Sequence, residues 1–74
     1  MPSEIEEIRN ICERYLEDFK KIKVFTIIYA KRTNGHWKVI VRYSKPDKPE
    51  IISSLMVDLK TKQVDSFMED IPTF

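Results

Sequence analysis

Two periodicities divide this chain. From Ser3 to Ile22, apolar residues fall at Ile5, Ile8, Ile11, Cys12, Tyr15, Leu16, Phe19 and Ile22. Spacing by three and four places them on one side of a helix, in a stripe wide enough to cover a sheet. The pattern predicts a helix over 3–22. Ser3 and Glu6 form an S-x-x-E capping signature behind Pro2. Glu4, Glu6 and Glu7 at the start, with Lys20 and Lys21 at the end, complement the helix dipole. Arg9–Glu13, Arg14–Asp18 and Glu17–Lys21 are spaced to pair along the wet side.

After the helix the period drops to two. Residues 23–32 and 36–44 read as a β-hairpin. The first run is rich in β-branched and aromatic side chains. Asn34-Gly35 suits a tight turn whose two central residues both need positive φ. With those two residues as the loop, Thr33 faces His36, Arg32 faces Trp37, Ala30 faces Val39 and Ile28 faces Val41. Unbroken alternation then puts Val24, Thr26, Ile28, Ala30, Trp37, Val39, Val41 and Tyr43 on one face, nearly all apolar and assigned to the helix. The other face carries Phe25, Ile27, Tyr29, Lys31, Lys38, Ile40 and Arg42.

Two prolines mark 44–50 as a loop. Residues 51–59 read as a third strand, with Leu55, Val57 and Leu59 inward. Lys60-Thr61-Lys62 is a turn, and 63–68 a short fourth strand. The expected architecture is a single α+β domain over 1–74: an N-terminal amphipathic helix on one face of a three- to four-stranded antiparallel meander.

Composition narrows the class. The chain of 74 residues is 42% hydrophobic and 34% charged, the balance of a globular domain. A domain this small buries only about 60% of the surface its unfolded chain exposes. Burial against a partner is thus a natural source of extra stability. The single Cys12 excludes an internal disulfide framework and a cysteine-based zinc site. No segment approaches the ~20 apolar residues of a membrane span. The acidic start lacks the basic and apolar regions of a secretory signal. A cytoplasmic protein with no membrane partner is expected. Abundant Lys, Glu and Ile lean towards a thermophile's composition, whereas the heat-labile Asn34-Gly35 leans the other way.

Net charge is +1, unevenly spread. Residues 1–19 carry six acids and two bases, residues 20–48 nine bases and one acid, and residues 49–74 five acids and two bases. A basic hairpin therefore lies between acidic flanks.

An enzyme is not expected. His36 is the only histidine and reads as a solvent-exposed turn residue. Cys12 lies within the apolar stripe, where a free cysteine acts as a small hydrophobe. Asp58, Asp65, Glu69 and Asp70 have no metal-loop spacing and read as a solvated acidic edge that discourages edge-to-edge pairing. No cofactor and no metal are expected.

The face away from the helix carries the functional expectation. Phe25, Ile27, Tyr29 and Ile40 left in water would each forgo about 1.5–3 kcal/mol of burial. With Lys31, Lys38 and Arg42 they form the expected partner-binding surface. Its occupant is read first as a second copy of the chain or another protein. The alternative is nucleic acid, with aromatic rings stacking on bases and cations on phosphate. Cover by the tail, through Ile71 and Phe74, would remove the surface.

Val57-Asp58-Leu59-Lys60-Thr61-Lys62-Gln63-Val64 resembles the strand, D-x-x-T-G-x-V turn and strand that close PepSY-type domains, with Lys62 in place of the glycine. Trp37-Lys38-Val39-Ile40-Val41 followed by such a turn is similar to the gas-vesicle accessory protein O family. The resemblance covers about half the chain and carries over no functional residue. It implies a non-catalytic, protein-binding or regulatory module.

Overall fold

A computed structural model describes residues 3–71. Pro2 and residues 72–74, with Phe74 among them, lie outside the described residues. The order is α1 (Glu4–Lys20), β1 (Thr26–Thr33), β2 (His36–Lys45), β3 (Lys48–Asp58) and β4 (Gln63–Met68). The four strands form one antiparallel sheet in the order β1-β2-β3-β4, with α1 on one face. No described helix is long and apolar enough to cross a membrane.

Helix α1 starts as its sequence dictates: the Ser3 hydroxyl accepts the Glu6 N–H at 3.3 Å. It stops two residues earlier than its apolar stripe. Lys21 turns left-handed at φ 59, and the Ile22 N–H returns to the Leu16 carbonyl at 2.9 Å. Ile22 then drops into the core, 7% exposed. The strand expected from residue 23 begins only at Thr26, because 21–25 are used to turn the chain back.

The hairpin turn follows expectation, with Asn34 at φ 44 and Gly35 at φ 81. So does the register nearest it: Thr33↔His36, Arg32↔Trp37 and Ala30↔Val39. Further down, a β-bulge intervenes. Tyr29 opposes Ile40 but Ile27, not Ile28, opposes Val41. The extra residue reverses the alternation of everything before it. Phe25 and Ile27, expected on the open face, pack against the core beneath the helix. Val24 and Ile28, expected in the core, are 83% and 40% exposed, and Thr26 is exposed. Burial explains the direction of the slip. Phe25 packs partly buried against the core while Val24 is left exposed, and covering the larger side chain removes more apolar surface from water.

Pro49 lies inside β3 rather than in a loop, which shrinks to Pro46-Asp47. Here Tyr43 opposes Ile51 and Lys45 opposes Lys48, so the ladder is irregular at the proline. β4 pairs only from Ser54 onward. Pro49 therefore sits at a bulge with no second strand beside it among the described residues.

The core joins Ile8, Cys12 and Leu16 of α1 to Val39, Val41 and Tyr43 of β2 and Ile51, Leu55 and Val57 of β3. Tyr43 is 4% exposed, yet its hydroxyl meets the Ser53 Oγ at 2.9 Å and donates to Glu69 Oε2 at 3.1 Å. Burial, followed by the neighbouring Glu69 carboxylate, raises this phenol above its ordinary value. None of the expected pairs along the helix closes to ion-pair distance. The helix acids reach the sheet instead. Glu4 accepts the Trp37 indole N–H at 2.7 Å and lies 3.4 Å from Arg32, and Glu7 pairs with Lys62. In the last turn Asp58 Oδ1 accepts the N–H of Lys60 at 2.8 Å and of Thr61 at 3.4 Å. Lys62, where the D-x-x-T-G-x-V pattern has glycine, takes φ 60.

Candidate functional site

The face away from α1 follows from the register. On β1 it holds Tyr29 and Lys31, and on β2 His36, Lys38, Ile40 and Arg42. Opposite these on β3 lie Asp58, Met56, Ser54 and Ile52, and on β4 Ser66 opposes Met56 and Met68 opposes Ser54. Five of the seven residues expected here are therefore present: Tyr29, Lys31, Lys38, Ile40 and Arg42. Phe25 and Ile27 are not. Ile40 is on this face but only 5% exposed, flanked by its cross-strand partners Tyr29 and Ser54. It offers flatness rather than a contact of its own. Tyr29 at 43% and Met68 at 63% exposure supply accessible apolar surface, with Ile52 and Met56 half-buried between them.

Charge divides the face into halves. β1 and β2 present Lys31, Lys38 and Arg42, none of which has a carboxylate within ion-pair distance among the described residues. Lys31 and Lys38 are direct cross-strand partners. Like charges so placed oppose folding slightly. The other half holds no cation between Ile52 and Asp58 or between Asp65 and Met68. It holds two carboxylates, Asp58 and Asp65, at the hairpin end.

Those two acids meet His36. Its Nε2 lies 3.3 Å from Asp65 Oδ2 and 3.7 Å from Asp58 Oδ2. His36 is thus a half-buried residue between two acids rather than an exposed turn residue. Asp65 arrives through a third bulge. Met56 opposes Ser66 while Val57 opposes Val64, so Asp65 is the extra residue and is aimed at the histidine. The backbone N–H of Lys60 holds the Asp58 carboxyl below its usual value. Burial opposes this, and Thr61 N–H, His36 and the Lys60 charge add to the lowering. The acidic edge expected as one group is split in space. Glu69 turns to Tyr43 and Lys45, Asp70 to Lys48. Lys45 holds Glu69 below the ordinary carboxylate range.

Beside the face, at the opposite end of the sheet from the hairpin turn, lies a groove of ≈ 680 Å³. Lys20, Lys21, Lys23 and Lys45 line it together with Arg42, which joins it to the open face. Cys12 is fully buried, and desolvation pushes its thiol up to about 12, which leaves no thiolate for nucleophilic work. Sequence reasoning missed Met56 and Ile52, although alternation outward from Leu55 and Val57 marks them, and Met68, whose facing depends on the bulge at Asp65. It also missed the union of His36 with Asp58 and Asp65, which no local pattern marks.

Comparisons with protein-family models, with curated proteins and with solved structures each find no match.

Proposed function

We propose that the chain is a non-enzymatic interaction module that pairs with a second copy of itself through the open sheet face. The observation that carries this reading is the division of that face into a half with three cations lacking a carboxylate partner among the described residues and a half whose charges, between Ile52 and Asp58 and between Asp65 and Met68, are carboxylates. A two-fold axis lying between two such faces and parallel to the strands sets β1–β2 of one copy over β3–β4 of the other. Levels along the strands are kept by this operation. Lys31, level with Ser66 through Lys38 and Met56, then meets the partner's Asp65 region. Tyr29, level with Met68 through Ile40 and Ser54, meets a thioether, a favourable aromatic contact. Each contact occurs twice, as an isologous interface requires. The uncompensated Lys31–Lys38 pair gains carboxylates in the dimer. Face-to-face sheets pack at about 10 Å, within reach of these side chains.

Sedimentation equilibrium in EDTA tests the reading. Lys31→Glu and Asp65→Lys should each be folded and monomeric. A one-to-one mixture should recover the dimer, since both unlike pairs are then restored. Monomeric wild type, or a mixture that stays monomeric, would refute the pairing.

The groove supports a second reading. Arg42 links the cations of the face to Lys20, Lys21 and Lys23 in one continuous path that suits the backbone of single-stranded nucleic acid, with Tyr29 as a stacking platform. Binding of an oligonucleotide that falls steeply with salt and is lost in Arg42→Glu would favour it. A mass unchanged by added RNA or DNA would remove it.

A further inference from the structure

We propose that His36, Asp58 and Asp65 form a surface site for one zinc-class divalent cation. Three strands build it: the start of β2, the end of β3 and the bulge of β4. Their donor atoms all lie within 4.8 Å of one another. Around a tetrahedral zinc ion with bonds of about 2.0–2.1 Å, neighbouring donor atoms stand about 3.3 Å apart. The separations of 3.3 and 3.7 Å from His36 Nε2 are therefore close to those of a filled site. The two carboxylates stand no more than 4.8 Å apart, so an ion would have to draw them together by at most about 1.5 Å.

The donors are also held. Asp58 anchors one oxygen on the N–H groups of Lys60 and Thr61, and its other oxygen turns to the imidazole. That constraint fixes the carboxylate before any ion arrives, as the supporting hydrogen bonds of metal ligands do. Asp65 is aimed by the bulge rather than by an unbroken strand. The charge balance is unmet as well. Two carboxylates share one imidazole, and neither has a Lys or Arg within ion-pair distance among the described residues. Even with a protonated imidazole the group keeps a net negative charge, and a divalent cation supplies the missing complement. One imidazole with two carboxylates suits zinc, cobalt or nickel better than magnesium or calcium, which favour oxygen alone. A fourth position faces solvent and is open to water. The bound ion would tie together strand ends that the helix does not cover.

Titration with Co²⁺ followed by visible absorption, and with Zn²⁺ by calorimetry, tests the site. One ion per chain should bind, and Zn²⁺ should raise the melting temperature. His36→Ala and Asp65→Asn should each weaken binding by at least about tenfold and abolish that rise. Both changes lie on the surface, and circular dichroism would confirm the fold. Binding should persist in Tyr29→Asp, which is designed to be monomeric, so the site stands or falls independently of self-association. No saturable binding, binding unchanged in both site variants, or binding lost in Tyr29→Asp would overturn the assignment to one chain's three residues.

Discussion

The sheet face beneath α1 and the face turned away from it are made by the same strands, residue for alternate residue. Under the helix, β2 and β3 present Val39, Val41, Tyr43, Ile51, Ser53, Leu55 and Val57, and the two hydroxyls among them partner each other. On the far side the same strands interleave Ile40, Ile52 and Met56 with Lys38, Arg42 and Asp58. The first face can be completed within one chain. The second, among the described residues, is partly apolar and carries its cations and carboxylates on opposite halves. Substitutions on the two faces should therefore fail in different ways: loss of folding on one, loss of association on the other.

Leu55→Ala gives the sharpest test of the covered face. Leu55 is fully buried, so a cavity should cost about 2–5 kcal/mol in urea denaturation. A smaller cost would mean the helix collapses easily onto the gap. Next comes the contrast across the Ile28 bulge. Phe25→Asp should destabilise the monomer by about 2–4 kcal/mol, because the ring packs against the core. Tyr29→Asp, four residues on but facing out, should change monomer stability by no more than about 0.5 kcal/mol while raising the dimer dissociation constant at least tenfold. Equal effects of the two changes would erase the distinction between the faces. Glu4→Gln should cost about 1 kcal/mol in thermal unfolding by weakening the acceptor for the Trp37 indole and the pair with Arg32.

Acid should act through Asp58 and Glu69. Both are held below their ordinary values, so their stabilisation is complete above the unfolded carboxyl range, about pH 4, and is lost as pH falls through the folded values. Acid unfolding of Asp58→Asn and Glu69→Gln should be correspondingly less steep. The smallest effect concerns linkage. Asp58 and Asp65 serve both the cation and the opposing lysines, so Zn²⁺ should loosen the dimer and dimerisation should weaken Zn²⁺ binding by the same factor.

Much of this organisation is legible in the amino-acid order because it is local. Ser3, the Ile8-Cys12-Leu16 stripe and Asn34-Gly35 each act within a few residues. The bulge at Ile28 is not local. Ile27 and Ile28 are identical in chemistry, so alternation alone does not say which of them faces the helix; Ile27 does, together with Phe25. Pro49 misleads for a related reason. Its rule concerns strands with neighbours on both sides, and β4 ends short of it. His36 and Asp65 stand 29 residues apart, and their meeting depends on the whole meander together with the irregularity in β4.

Cys12 turns this architecture into its own clock. The thiol is sealed between α1 and the sheet and deprotonates only near 12, so an alkylating reagent can reach it only when the helix lifts. The labelling rate at neutral pH then reads the free energy of that opening without any added probe. Leu16→Ala should quicken it, whereas Tyr29→Asp, on the far side of the sheet, should leave the monomer's rate unchanged.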